Sequence, residues 1–279
     1  MTEVDELYVM ARRVLLDALD ALGPHRDAIV LVGAQAVYLR VGEADLAIAP
    51  YTTDGDLAID PTRLGLIPPL EQALLAAGFA HRAKDSVGQW IAKRKTSEAL
   101  DVDVPVDLLV PASVSPGKGR RSARLPGHDS RAARIVKGLD GAIVDADVLH
   151  LTALEPSNDP RTLNVRVAGP AALLVAKLHK IGDREGTGRQ NDKDALDVLR
   201  LLRGTELEDL VDRYRMLLAD ARSMNAAVTG RTLLESQFTT RDGIGVEMAV
   251  RSAGQLADPA EISATCRALA EDLLDALKS

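Results

Sequence analysis

Aromatic residues make up 3% of this chain, with one tryptophan and two phenylalanines. That leaves no material for a sheet that recognises nucleic acid by stacking successive bases. A single cysteine, Cys266, rules out an internal disulfide. The five histidines are scattered without ligand spacing, which argues against zinc. There is no amino-terminal signal with a basic head and apolar core, and no apolar run of membrane-spanning length, so the expectation is a cytoplasmic protein with no membrane partner. Repeats and low-complexity tails are also missing. What remains is 279 residues, 46% hydrophobic and 27% charged, with a net charge of −7. Such a chain can bury one large core or two modest ones.

The most informative local feature is Asp54-Gly55-Asp56, followed by the apolar run Leu57-Ala58-Ile59. Side chains at i and i+2 of an extended segment leave the same face, so both carboxylates would meet one spot. Two anions held that close repel each other unless a cation such as a divalent metal ion neutralises them. The same tripeptide also reads as a polar hairpin turn, since Asp-Gly is a preferred turn dipeptide. A third acid shifts the balance. Residues 101–110 alternate apolar and polar and then run apolar, placing Asp107 where a strand passes from wet to buried surroundings. A carboxylate among Val106, Leu108, Leu109 and Val110 is costly to bury alone, and a metal ion would supply a partner. Asp101 and Asp103 read as solvated strand residues, and Pro105 marks an edge or a bulge.

The segment Ile29-Val30-Leu31-Val32-Gly33-Ala34-Gln35 reads as a strand, a turn and the start of a helix. Free amides at a helix N-terminus can bind phosphate oxygens; Gly33 would allow close backbone approach, and the small Ala34 would keep the space open. A glycine at such a junction also serves packing alone. In order, Gly33-Ala34, Asp54-Gly55-Asp56 and Asp107 resemble the nucleotidyltransferase superfamily with its polymerase-beta-like core. The resemblance implies a mixed-sheet α/β (α+β) nucleotidyltransferase-like core, a glycine turn that holds a nucleoside triphosphate (NTP), and three acids that hold Mg2+. Ala34 stands where glycine or serine is usual in that family, so a hydroxyl contact is lost while the backbone N–H is kept.

Beyond residue 169 the pattern turns helical. Gly169-Pro170 opens a helix in which Lys177, Lys180 and Arg184 share one face at i, i+3 and i+7, although Lys177 lies in an otherwise apolar run. A second helix starts near Asn191 or Asp192 and stops at Gly204. Lys177, Lys180 and Arg184 followed by Lys193-Asp194 and Asp197 are similar to the signature of AbiEii-type and MenT-type toxin nucleotidyltransferases. That likeness implies a triphosphate contact from Lys177, with Lys180 and Arg184 next in line, and a completing role for Asp194. It also implies transfer of a nucleoside monophosphate to the 3′ end of tRNA, by the toxin of a type IV toxin–antitoxin pair, with an antitoxin as partner. Lys193 and Asp197 read equally as a surface ion pair at i, i+4. His179 points off the basic face.

Residues 117–137 are the one basic stretch in an acidic chain, with Lys118, Arg120, Arg121, Arg124, Arg131, Arg134 and Lys137 against Asp129. This stretch could follow a nucleic-acid backbone, or it could be a solvated loop that balances nearby acids. The remaining expectations are helices over 3–22, 34–41, 68–78, 171–182, 193–203, 206–222, 244–254 and 260–277, and strands over 28–33, 56–60, 79–95 and 100–110. Two parts follow: an α/β domain over 1–160 and a helical domain over 161–279. A transferase acting on a small molecule such as an aminoglycoside, or on a protein, and a non-catalytic nucleotide-binding module remain open alternatives. Thr52 and Thr53 lie beside the acids, where a phosphate group would oppose a metal site.

Overall fold

The computed structural model describes residues 5–42, 46, 49, 51–115, 121–187 and 191–278. The chain forms two compact units, one of Met1–Ala36, Tyr51–Val136 and Ala146–Val167, the other of Val37–Pro50, Lys137–Asp145 and Ala168–Ser279.

The first unit is built on a mixed sheet. Its strands are β1 (Ile29–Val32), β2 (Gly55–Ile59), β3 (Ala80–His81), β4 (Gln89–Lys95), β5 (Asp101–Pro111), β6 (Arg134–Val136), β7 (Ala146–Thr152) and β8 (Thr162–Ala168), and its helices are α1 (Glu6–Ala21), the start of α2 (Gly33–Val41) and α3 (Leu70–Ala76). The spatial order is β3-β4-β5-β2-β1-β8-β7, with β6 beside β5. β1 runs antiparallel to β2 and parallel to β8, while β2 is parallel to β5 and β4 antiparallel to β5. Every residue of β1 is buried, as its unbroken Ile-Val-Leu-Val run demands of a strand covered on both faces. Helix α1 is capped by Asp5, which accepts from the Leu7 and Tyr8 amides, and it buries Val14, Leu15 and Leu16. Each such fully buried aliphatic side chain contributes about 1.5–3 kcal/mol.

Pro105 obeys its expectation in an instructive way. Pairing of β5 with β2 starts at Val106, so at Pro105 the strand has β4 on one side and has not yet met β2.

The second unit is helical, with α4 (Pro170–Arg184), α5 (Asp192–Gly204), α6 (Leu207–Ala219), α7 (Met224–Phe238), α8 (Ile244–Ala253) and α9 (Pro259–Ala276). Gly169 brings no capping side chain to α4. Asp145, fully buried, accepts from the Ala172 amide at 3.1 Å and from Arg213 Nη1 at 2.7 Å, and so supplies the anion that the helix start favours. No separate helix is expected from the sequence at α7. Its middle holds Gly230, where an added Cβ would stand 3.0 Å from the Tyr214 hydroxyl and 3.1 Å from Val175, so a small residue there lets neighbouring helices approach closely. The expected mixed α/β core and the mainly helical C-terminal region are both present.

Candidate active site

The parallel register of β2 and β5 makes Asp56 the direct partner of Asp107. On its other side Asp56 faces Val32, the last residue of β1. Register partners leave one face of a sheet, on strands about 4.8 Å apart. Asp54, two residues ahead of Asp56, lies close enough for its charge to act on Asp107. All three acids are half-buried.

Several residues without a local sequence signal position this row. The Gln35 amide donates to the Asp54 carbonyl at 2.9 Å, and Gln35 Oε1 accepts from Arg12 Nε at 2.7 Å. Arg12 also donates to the Thr152 carbonyl at 2.7 Å, so a buried Arg–Gln pair ties α1, α2 and the Asp54 loop together. The Thr52 hydroxyl donates to Asp54 Oδ1 at 2.5 Å and is buried, whereas Thr53 is exposed.

Gly33 adopts φ +71°, and a Cβ there would fall 2.2 Å from Asp56 Oδ2. The Asp56 carboxylate therefore lies directly over the turn, and glycine is required on two counts, backbone conformation and space. Gly33→Ala is expected to cost about 1–3 kcal/mol in backbone strain and to push the Asp56 carboxylate aside. Thermal unfolding and Mn2+ titration check this; unchanged melting together with unchanged metal affinity would show that the close approach has no consequence.

Asp107 does not stand alone against its apolar neighbours. Arg134 donates to its Oδ2, so a guanidinium supplies the counter-charge that the sequence reading assigned to a metal ion. Burial pushes the Asp107 carboxyl above its ordinary range and the Asp54 charge adds to that, against the opposing pull of Arg134 and Arg82. Within the basic stretch, Arg121 and Arg124 are exposed, Arg131 donates to the Lys84 carbonyl at 3.0 Å, and Lys118 and Arg120 lie outside the described residues.

In the second unit, Lys177, Lys180, Arg184, Asp194 and Asp197 come together. The Lys177 ammonium is 5% exposed and donates to Asp194 Oδ1 at 2.9 Å and to Asp197 Oδ2 at 2.7 Å. Lys180 Nζ stands 3.0 Å from Asp194 and Arg184 Nη1 3.3 Å from it, both about one-third exposed. Burial alone would lower the Lys177 pKa, but Asp197 and Asp194 carry it well above its ordinary value. Burial also works against ionised Asp194, yet Lys177 and Lys180 hold its carboxyl down to about 2. Asp197, weighed as a surface partner of Lys193, instead turns inward to Lys177 and to buried Arg200, 3.2 Å away, whose guanidinium lies 5.1 Å from the Tyr38 ring centroid. An apolar run tolerates Lys177 because its partners are buried with it. His179 is bonded to the Ala226 carbonyl at 2.9 Å and packs against Gly138, off the basic face.

Among the described residues, no three His, Cys, Asp or Glu side chains form a ready metal cage. Magnesium does not require one, since one or two carboxylates commonly hold it together with water and substrate phosphate. The chemistry of Asp54, Asp56 and Asp107 fits that mode, with the hard oxygen donors of Asp56 and Asp107 on one sheet face, Asp54 just ahead of β2, and Asp107 already set against a cation. No helix among the described residues is long and apolar enough to cross a membrane.

No protein-family model matches the chain, and no curated protein matches it. Among solved structures it is similar to an antigenic nucleotidyltransferase-like protein from Paracoccidioides brasiliensis, at 18% identity over 81% of this chain and 93% of that one, with a TM-score of 0.42. A likeness of that size leaves the functional reading to the side chains.

Proposed function

We propose that the chain is a magnesium-dependent nucleotidyltransferase that moves a nucleoside monophosphate from an NTP to an acceptor hydroxyl, with the 3′ end of tRNA as acceptor and with the role of toxin in a type IV toxin–antitoxin pair. The observation that carries the catalytic part is the register pairing of Asp56 with Asp107, with Asp54 two residues ahead and the Asp56 carboxylate against Gly33. Asp54, Asp56 and Asp107 would hold the metal ion, whose charge would offset that of the phosphates. Asp107 helps to activate the acceptor hydroxyl, whose oxygen forms a bond to the α-phosphorus as the bond to the pyrophosphate oxygen breaks. Gly33 and Ala34 offer backbone to the phosphates. In the second unit Lys180 and Arg184 are about one-third exposed, and Lys177 holds Asp194 and Asp197 in place.

Support for a polyanionic acceptor comes from exposed Arg82, Lys84, Arg121 and Arg124 of the first unit in a chain of net charge −7. The toxin role and the antitoxin rest on the motif resemblance. The test is incubation with each labelled triphosphate in turn, with total tRNA or an aminoglycoside, with and without Mg2+. Magnesium-dependent label on tRNA is the expected result. Label on the aminoglycoside would move the acceptor to a small molecule, and label on neither would leave nucleotide binding as the function.

A further inference from the structure

We propose that Arg134 is an internal counter-ion that occupies Asp107 until a divalent metal ion displaces it. The inference rests on the reading of Asp54, Asp56 and Asp107 as a metal site.

The topology sets up the competition. β6 pairs parallel with β5 so that Arg134 is the register partner of Leu109. Leu109 and Asp107, two residues apart, share a face, so Arg134 leaves the sheet on the side of the acidic row and reaches back to Asp107 Oδ2. That is also the face where Asp56 stands beside Asp107. A guanidinium and a dication cannot share that carboxylate edge without strong repulsion.

The pairing is also a releasable one. Among the described residues Arg134 holds Asp107 through one terminal nitrogen, and its buried Nε has no hydrogen-bond partner, so the two-pronged grip that makes arginine–carboxylate pairs strong is not formed. The Arg134 side chain is 25% exposed and Asp107 16%. β6 is only three residues long, and it meets β5 beyond the point where β4 has ended. Such a counter-ion offsets the mutual repulsion of three neighbouring carboxylates before a metal ion binds. It also makes release of Arg134 a condition of metal loading.

Titration of metal-free protein with Mn2+ alone, followed by calorimetry, tests this without any turnover. Arg134→Ala is expected to bind Mn2+ about tenfold more tightly than the parent, the scale of one charge-assisted hydrogen bond removed from the competition. Arg134→Gln, which keeps a polar side chain without the charge, is expected to tighten binding likewise and serves if the alanine variant folds poorly. Asp107→Asn is expected to abolish the gain. Equal or weaker binding by the Arg134 variants, with binding still weakened by Asp107→Asn, would overturn the counter-ion and leave the metal site standing. Absence of Mn2+ binding in parent and variants alike would remove the metal site, and the counter-ion with it.

Discussion

Lys177→Met is expected to destabilise the second unit by about 3–5 kcal/mol, the usual cost of removing one partner from a buried ion pair. The Lys177 ammonium lies between Asp194 and Asp197, which are 2% and 1% exposed. Methionine fills similar space, so the loss comes from leaving carboxylates in a poorly solvating interior rather than from a cavity. The melting temperature should fall by on the order of 10 °C. Asp194→Asn added to Lys177→Met should recover part of the loss, because it removes one of the stranded charges. A variant with unchanged melting but a raised KM for the triphosphate would instead make Lys177 a phosphate contact with little structural part.

The cluster also sets a pH signature. Asp194 ionises more readily in the folded chain, at about 2, than at its ordinary value of 3.8. Its contribution is thus fully present above that ordinary value and is lost as pH falls from there towards 2. Lys177 is shifted the opposite way, so its contribution is fully present below the ordinary lysine value and declines as pH rises above it. Denaturant titrations should therefore show a steeper acid-side loss of stability in the parent than in an Asp194→Asn variant. Parallel acid limbs would show that Asp194 is not held in this way.

Asp56→Asn should lower nucleotidyl transfer by at least about 10³-fold, or roughly 4 kcal/mol of barrier. Asp56 sits at the centre of the row, paired with Asp107 on one side and Val32 on the other, with its carboxylate against Gly33. The asparagine is nearly isosteric, so the register and the close approach to Gly33 survive while the negative charge that the proposed metal site needs is removed. Unfolding should be nearly unchanged. A variant that folds normally and retains transfer within tenfold of the parent would take Asp56 out of the machinery.

The parts of the fold legible in the sequence are those whose signals are local. The buried β1 run, the Gly33 turn into α2, the Pro170 start of α4 and the Gly204 stop of α5 each follow from a few adjacent residues. The shared face of Lys177, Lys180 and Arg184 follows from helical spacing, whereas Asp54 lies just ahead of β2, outside the strand period that carries Asp56. What the sequence hid depends on distant partners. Arg12 meets Gln35 across 23 residues, Arg134 meets Asp107 across 27, and neither pairing leaves a local trace. Strand β8, which pairs with β1, falls at Thr162–Ala168, inside the part expected to be helical from residue 161. Segments 37–50 and 137–145 group with the helical unit through contacts that no composition shift announces. Helix α7 lacked a clear apolar stripe because Gly230 and small neighbours do the packing there.

The central claim is that the acids of β2 and β5, with the residue just ahead of β2, share one cation. A crystal soaked with Mn2+ and a non-hydrolysable triphosphate tests it most directly. The account predicts an anomalous-scattering peak within bonding distance of the Asp54 and Asp56 carboxylates, beside Asp107, with the phosphates lying towards Gly33. A peak held elsewhere, or nucleotide bound away from that sheet face with the acids still turned to Thr52 and Arg134, would contradict it.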